Sequence, residues 1–311
     1  MARYEKATQP TMYFIGVTTG KSSIMKVFPG WSEELKLGAV IKGIDFKPHS
    51  EAEEYREAVM FIKEDPLSLG ALVTTHKIDL FRTCRDLFDY IDPYAEQLGE
   101  VSSISKKDGK LCAHAKDPIS SGLALQKFVP ENYWGQYDGD VMLMGAGGST
   151  LAMSIYFARA CKGGDCPGKI YITNRSEPRL TSAKEILKGL NPEVSFEFCY
   201  NPKPKDNDAT LKSLKPHSLI VNATGLGKDA PGSPLTDNAE FPKDSLVWEI
   251  NYRGDLIFAE QAKRQQAEKN LHVELGWDYF IYGWTQVIEE VFHISIDENT
   301  IVRLSELAGQ A

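Results

Sequence analysis

Short apolar runs alternate with amphipathic stretches along most of the chain. The run Thr11-Met12-Tyr13-Phe14-Ile15-Gly16-Val17 reads as a buried strand that empties into the polar loop Thr18-Thr19-Gly20-Lys21-Ser22-Ser23. A helix is expected next, then a second strand at 38–45. A further helix follows, with apolar positions at Ala52, Tyr55, Ala58, Val59 and Ile62. A third strand, Leu69-Gly70-Ala71-Leu72-Val73, ends in Thr74-Thr75-His76-Lys77, and residues 99–104 read as another strand start. Repeated strand–helix pairs predict a small parallel α/β layer.

A second unit opens at Asp140-Val141-Met142-Leu143-Met144, which meets the glycines of Gly145-Ala146-Gly147-Gly148-Ser149-Thr150. A helical pattern starts at once, at Leu151, Ala152, Ile155, Tyr156 and Ala158. This strand–turn–helix order opens a βαβ nucleotide-binding unit. Gly145 takes the turn, Gly147 and Gly148 let a pyrophosphate approach the backbone, and the first N–H groups of the helix are left to bind it. The third small position is Thr150, not glycine, and the same turn also suits a purely structural role.

Further strands are expected at 169–173, 194–200, 218–222 and 245–252, with an exposed Pro- and Lys-rich loop after Tyr200. The 169–173 strand ends in Asn174-Arg175-Ser176-Glu177-Pro178-Arg179, where Pro178 starts a helix. An acid at such a strand tip accepts from the 2′-hydroxyl of NAD, whereas basic residues favour the 2′-phosphate of NADP. Arg175 and Arg179 beside Ser176, with no acid at the tip, favour NADP. The other reading is a helix start that merely carries arginines, an unfavourable place for them on the helix dipole. Asn222-Ala223-Thr224-Gly225-Leu226-Gly227 supplies a second flexible turn, placed to pass the nicotinamide half. The late aromatics Trp277, Tyr279, Phe280, Tyr282 and Trp284 suit either a core or a ligand platform.

Composition narrows the classes. With 311 residues, 42% of them hydrophobic, the chain suits one large or two ordinary domains. Its 35 basic and 43 acidic residues give a net charge of -8, which provides no electrostatic case for nucleic acid or an anionic membrane. The N-terminal Met1-Ala2-Arg3-Tyr4-Glu5-Lys6 has no apolar signal core, and no run approaches the ~20 apolar residues of a membrane span. Cys84, Cys112, Cys161, Cys166 and Cys199 are scattered, and the Cys161–Cys166 spacing fits no zinc pattern, so reduced thiols in a cytoplasmic protein and no metal are expected.

Lys77 follows a strand end, where open α/β sheets place ligands, and Asp117 precedes Pro118 at a helix start. By position alone Lys77 is either a solvated surface lysine or a functional one. Asp117 is either a helix cap or a catalytic acid.

Taken together, these stretches resemble the shikimate dehydrogenase family from about Phe14 to Phe292. The family's glycine turn is matched by Gly145-Ala146-Gly147-Gly148, its Asn-Arg-Thr-x-x-Arg/Lys motif by Asn174 to Arg179, and its Asn-Ala-Thr-Ser-x-Gly motif by Asn222 to Gly227. The catalytic lysine of the family falls on Lys77 and its aspartate on Asp117. A substrate-binding tyrosine and glutamine fall on Tyr252 and Gln286.

The resemblance implies an α/β fold of two domains. A discontinuous substrate-binding domain (1–125 plus 278–311) would accompany a Rossmann-type NADP-binding domain (126–277), with the active site in the cleft between them. It also implies reversible hydride transfer between a ring carbinol and the nicotinamide. Lys77 would take the hydroxyl proton or hold the hydroxyl, and Asp117 would orient Lys77. Ser22, Thr74, Ser102, Tyr252 and Gln286 would bind substrate, and Gly145 to Ser149, Asn174, Arg175, Ser176, Arg179 and Asn222 to Gly225 the cofactor.

The substrate half departs from the family. In its Ser-x-Ser pair, which grips the shikimate carboxylate, one serine stays as Ser22 and the other becomes Ile24. The strand-end proline becomes Thr75 and the asparagine before it Ala71. Ala-Val-Asn-Thr becomes Glu100-Val101-Ser102-Ser103, and Asn-Thr-Asp becomes Ala115-Lys116-Asp117. Lys21 and Lys116 are the candidate replacement anion contacts. The expected partner is a polyhydroxylated small molecule: shikimate, quinate, or another carbocycle or sugar-like polyol, turned over by a monomer or homodimer. A nucleotide-binding regulator on the same fold is the alternative, and a folate-type dehydrogenase a third. The Lys77 and Asp117 pair argues against the first, and Asn174-Arg175 with Asn222-Ala223-Thr224 against the second.

Overall fold

The computed structural model describes residues 4–228 and 230–310, so part of the Met1–Lys6 stretch lies outside the described residues. In chain order the elements begin with β1 (Thr11–Gly16), α1 (Ile24–Glu34), β2 (Val40–Asp45), α2 (Ala52–Glu64), β3 (Ser68–Val73) and α3 (Lys77–Cys84). Then come β4 (Tyr90–Ile91), α4 (Pro93–Leu98), β5 (Ser103–Lys107), β6 (Lys110–His114), α5 (Asp117–Gln126) and α6 (Tyr133–Tyr137). They continue with β7 (Val141–Met144), α7 (Gly148–Ala160), β8 (Ile170–Asn174), α8 (Glu177–Leu187), β9 (Phe196–Tyr200) and α9 (Pro204–Lys212). The last are β10 (Leu219–Asn222), β11 (Leu246–Glu249), α10 (Ile257–Lys269), β12 (His272–Leu275), α11 (Trp277–Phe292) and α12 (Glu298–Gly309). They form two compact units, 1–116 with 283–311, and 117–282.

The first unit is built on a sheet of order β2-β1-β3-β5-β6-β4. Every residue of β1 is buried because parallel neighbours flank it and helices cover the sheet. α1 buries Ile24, Val27, Phe28 and Trp31, the helical spacing of a single face, and Trp31 Nε1 donates to the Leu304 carbonyl (2.8 Å) to fix α12 against it. The expected strand start at 99–104 is corrected: Asp92 caps α4 and Gly99, at φ +63°, ends it, so β5 begins only at Ser103.

The second unit carries a sheet of order β12-β11-β10-β7-β8-β9, all parallel. The chain winds outward from β7 through β8 to β9, then returns to β10 on its other side, a doubly wound topology with its switch point between β7 and β10. Met142, Met144, Ile220 and Val247 from the strands pack with Leu211, Phe241, Phe258 and Ala262 in one core cluster. α5 packs on α7 within this unit. Gly122 makes the approach possible, because a Cβ there would lie 2.4 Å from the Tyr156 ring. The unit therefore starts at Asp117, earlier in the chain than residue 126.

Two further expectations are overturned. The Pro- and Lys-rich stretch after β9 is helix α9, with Pro204 in its first turn and Asp206 accepting from the Lys203 N–H (2.9 Å). Cys161 and Cys166 are joined by a disulfide, while Cys84, Cys112 and Cys199 are free thiols. A tight glycine turn brings the two sulfurs together, a local geometry that composition does not reveal.

Candidate active site

Parallel pairing puts the ends of β1 and β3 on one edge of the first sheet. Antiparallel β5 starts at that edge, and β6 ends there. Backbone bonds gather the predicted residues. Thr74 donates its N–H to the Ile15 carbonyl (3.0 Å), the Val73 N–H donates to the Ser102 carbonyl (2.9 Å), and the Val101 N–H donates to the Lys77 carbonyl (3.2 Å). Thr74, Lys77 and Ser102 are thereby neighbours, and Ser22 lies in the turn that follows β1 on the same edge.

Sequence reasoning passed over His76. It is buried, its Nδ1 lies 2.9 Å from the Tyr55 hydroxyl, and its Nε2 lies 3.1 Å from the Gly16 carbonyl. Burial pushes its pKa below the ordinary imidazole value, against the hydrogen bonds to Gly16 and Phe46 that raise it. The neutral ring ties the end of β1 to the first turn of α3, where half-buried Lys77 begins the helix.

The Ser102 side chain is committed to the backbone: its buried Oγ accepts the Lys116 N–H at 2.7 Å. Lys116 itself pairs with Glu290 (2.5 Å), and His114 lies between that carboxylate (3.1 Å) and Asp92 (3.6 Å). Burial raises the Glu290 pKa, but the Lys116 hydrogen bond and the His114 and Lys116 charges outweigh it and leave the carboxyl below its usual range. Lys116 is therefore already neutralised and unsuited to hold an anionic substrate. Ile24 is fully buried in the core. Gln286 is half-buried and donates its amide to Glu289.

In the second unit the loops after β8, β7 and β10 emerge side by side at the carboxyl edge, with the glycine turn in the middle. Gly145 sits at φ +111°, and a Cβ there would come within 2.7 Å of the Ala223 carbonyl, so only glycine fits between the two turns. Thr150 is accommodated because its hydroxyl turns back to the Gly145 carbonyl (3.0 Å) and closes the turn from inside. The N-terminus of α7 has no side-chain cap and no acid in its first turn, a helix start of the kind that can bind an anion. Ser149 accepts from the Tyr279 hydroxyl (3.2 Å).

On one flank Asn174 accepts the Ser176 N–H (2.8 Å), shaping the turn that presents exposed Arg175 and Arg179. On the other flank Asn222 accepts from both the N–H and the hydroxyl of Thr224 (3.1 and 2.7 Å). Its amide donates to Glu249 (2.6 Å), which also accepts from the Asn251 backbone and side chain. Burial raises the Glu249 pKa, and the hydrogen bonds from Asn251 and Asn222 only partly offset it. Glu249 was not singled out by the sequence, because its signal is burial. Tyr252 packs on Trp277 and Phe280 with the Arg253 guanidinium over its ring.

No family model matches the chain. It is 30% identical over 181 residues to shikimate dehydrogenase (NADP(+)) of Streptococcus thermophilus, covering 58% of this chain and 59% of that protein. It is 28% identical over 229 residues to shikimate dehydrogenase (NADP(+)) of Bacillus thuringiensis, covering 73% of each. Among solved structures, shikimate dehydrogenase of Aquifex aeolicus superposes with a TM-score of 0.72 at 19% identity, over 97% of this chain and 99% of that one. Quinate dehydrogenase from Corynebacterium glutamicum, in complex with NAD, gives 0.74 at 16% over 97% and 99%. A 5-ketofructose reductase of Gluconobacter gives 0.70 at 17% over 96% and 98%.

Proposed function

We propose, from the premise that this chain is a divergent, shikimate dehydrogenase-like protein, that it is an NADP-dependent oxidoreductase acting on the carbinol of a ring polyol. The observation that carries this is the carboxyl edge of the second sheet. There an uncapped helix start lies between an arginine-bearing turn and the Asn222–Thr224 turn. The N–H groups of Gly147, Gly148 and Ser149 would hold the pyrophosphate, and Arg175, Ser176 and Arg179 the 2′-phosphate. The bound nicotinamide supplies the hydride acceptor or donor.

Lys77 and Asp117 are the proposed proton-handling pair. Lys77, as the neutral amine, would hold the substrate hydroxyl and take its proton as the C–H bond breaks, and Asp117 would orient that amine and balance the ammonium it becomes. Ser22, Thr74, Tyr252 and Gln286 are proposed to bind substrate hydroxyls. Ser102 acts there through the backbone it holds. A buried Ile24 and a neutralised Lys116 support a substrate recognised more through hydroxyls than through a carboxylate.

The test is NADPH formation from NADP with shikimate, quinate and a panel of carboxylate-free cyclic polyols. Turnover on any of them that is lost in Lys77→Ala, with NADP binding kept, supports the reading. Full activity in Lys77→Ala overturns the catalytic assignment, and NADP binding without turnover on a broad panel favours a regulator.

A further inference from the structure

Among the described residues, one group of metal-ligating side chains lies outside the proposed site: Cys161, Cys166 and Glu193. Their placement is built in. Cys161 is buried at the end of α7, its N–H donating to the Phe157 carbonyl (2.9 Å). The chain then turns through Gly163 and Gly164, at φ +62° and +88°, so that Lys162 and Asp165 pair antiparallel and Cys166 returns beside Cys161, with Cα atoms 4.7 Å apart. Asp165 anchors this loop by accepting the N–H groups of Trp134 and Gly135 (3.0 and 3.1 Å).

Glu193 is brought to the same place by Asn191. That amide donates to the carbonyls of Ala158 and Cys161 (3.0 and 3.2 Å), and its oxygen accepts the Glu193 N–H (3.0 Å). Glu193 Oε2 lies 4.0 Å from Cys161 Sγ and 3.8 Å from Cys166 Sγ, and all three donor atoms fall within 4.8 Å of one another. Opening the disulfide lets the two sulfurs part towards the roughly 3.7 Å that two bonds of about 2.3 Å at a tetrahedral centre require, and Glu193 stands beside both to supply an oxygen at about 2.0–2.2 Å.

We propose that the reduced Cys161–Cys166 pair, with Glu193, binds a thiophilic divalent cation of the zinc type, and that disulfide and metal are alternative occupants of one place. A dithiol or phosphine reductant supplies two electrons and each sulfur takes up a proton, opening the S–S bond to two thiols. The cation then displaces both thiol protons, forms two metal–sulfur bonds, accepts the Glu193 carboxylate as third ligand and leaves a fourth position to water. Electrostatics favour this. Two thiolates would sit beside a carboxylate at the negative end of α7, a cluster that a divalent cation neutralises and that the disulfide avoids by removing both sulfur charges. Burial pushes the Cys84 thiol up to about 11 and raises Cys112 and Cys199 as well, so these three are poor competitors for metal. Since α7 is 13 residues long, the site lies about 20 Å from the glycine turn at its other end and is independent of the function proposed above.

The experiment uses the full chain reduced with a phosphine and titrated with Co2+ as a spectroscopic stand-in, then Zn2+ in competition. The expected result is a single saturating thiolate-to-cobalt charge-transfer band, release of two protons per metal, and displacement by Zn2+. The band should be absent from the disulfide form and from Cys166→Ser, and the affinity should be about tenfold weaker in Glu193→Gln. Cys166 lies on a surface loop, and an unchanged circular dichroism spectrum of Cys166→Ser checks folding. No band in the reduced protein overturns the site, as does a band that survives Cys166→Ser. Unchanged affinity in Glu193→Gln removes the carboxylate from it.

Discussion

His76 is held at both ring nitrogens, directly before Lys77 at the start of α3. Because burial lowers the pKa of His76, the unfolded chain takes up the proton first as pH falls through the ordinary value of 6.5. The stabilisation is complete above that value and is lost as pH falls through the folded one. In His76→Ala the loss of stability between neutral and mildly acid pH should become shallower in urea titrations. The variant should also be destabilised by about 1–3 kcal/mol, as the Tyr55 hydroxyl and Gly16 carbonyl lose a partner. An unchanged pH slope would show that His76 binds its proton equally in the folded and unfolded states, so that burial does not lower its pKa. A second residue prediction concerns the dinucleotide. Arg175→Ala combined with Arg179→Ala should raise KM for NADP at least tenfold and leave that for NAD within about twofold. At this scale Asn174 and Asn222 were legible as turn residues, because the side-chain oxygen of each accepts the backbone N–H two residues on. His76, Glu249 and Glu290 were not, since their partners come from distant strands and helices and only burial distinguishes them.

The meeting of α5 and α7 depends on a glycine facing an aromatic ring. Gly122→Leu should force them apart, costing about 1–3 kcal/mol in unfolding free energy. Thr150→Val tests the first turn of α7 differently: it keeps the volume and removes the bond to Gly145, so KM for NADP should rise while kcat holds. Equal falls in kcat and kcat/KM would place Thr150 in the chemical step instead. Elements such as β1, β7 and β10 were readable because both faces of each are covered and the sequence is continuously apolar. α9 and α4 were not. Their polar, proline-led sequences have the composition of loops, and capping by Asp206 and Asp92 makes them helices. Gly99 misled for a related reason, because a left-handed glycine ends a helix as readily as it precedes a strand.

For the whole molecule, ligand binding should be unevenly felt. NADP at a hundredfold excess over its Kd would add about 2.7 kcal/mol to the native state. Hydrogen exchange should show the strongest slowing after β7, β8 and β10, in the unit spanning 117–282. Slowing confined to the other unit would refute the assignment. The existence of two α/β layers was legible from the repeated strand–helix alternation. The extent of each was less so, because α5 is assigned by what it packs against, and that contact leaves no period in the sequence.

One hydrogen bond described above also bears on biosynthesis. The Trp31 indole donates to the Leu304 carbonyl, across 273 residues of chain. As the polypeptide leaves the ribosome, residues 117–282 are all translated before α12 exists, so the inserted unit can close while the earlier one still waits for its last helix. Nascent chains arrested before residue 298 should therefore show a protease-resistant core within 117–282 and a cleavable Trp31 region. Closure on Trp31 thus waits for the 273 residues that separate it from Leu304, and chaperones can reach the segment in that interval.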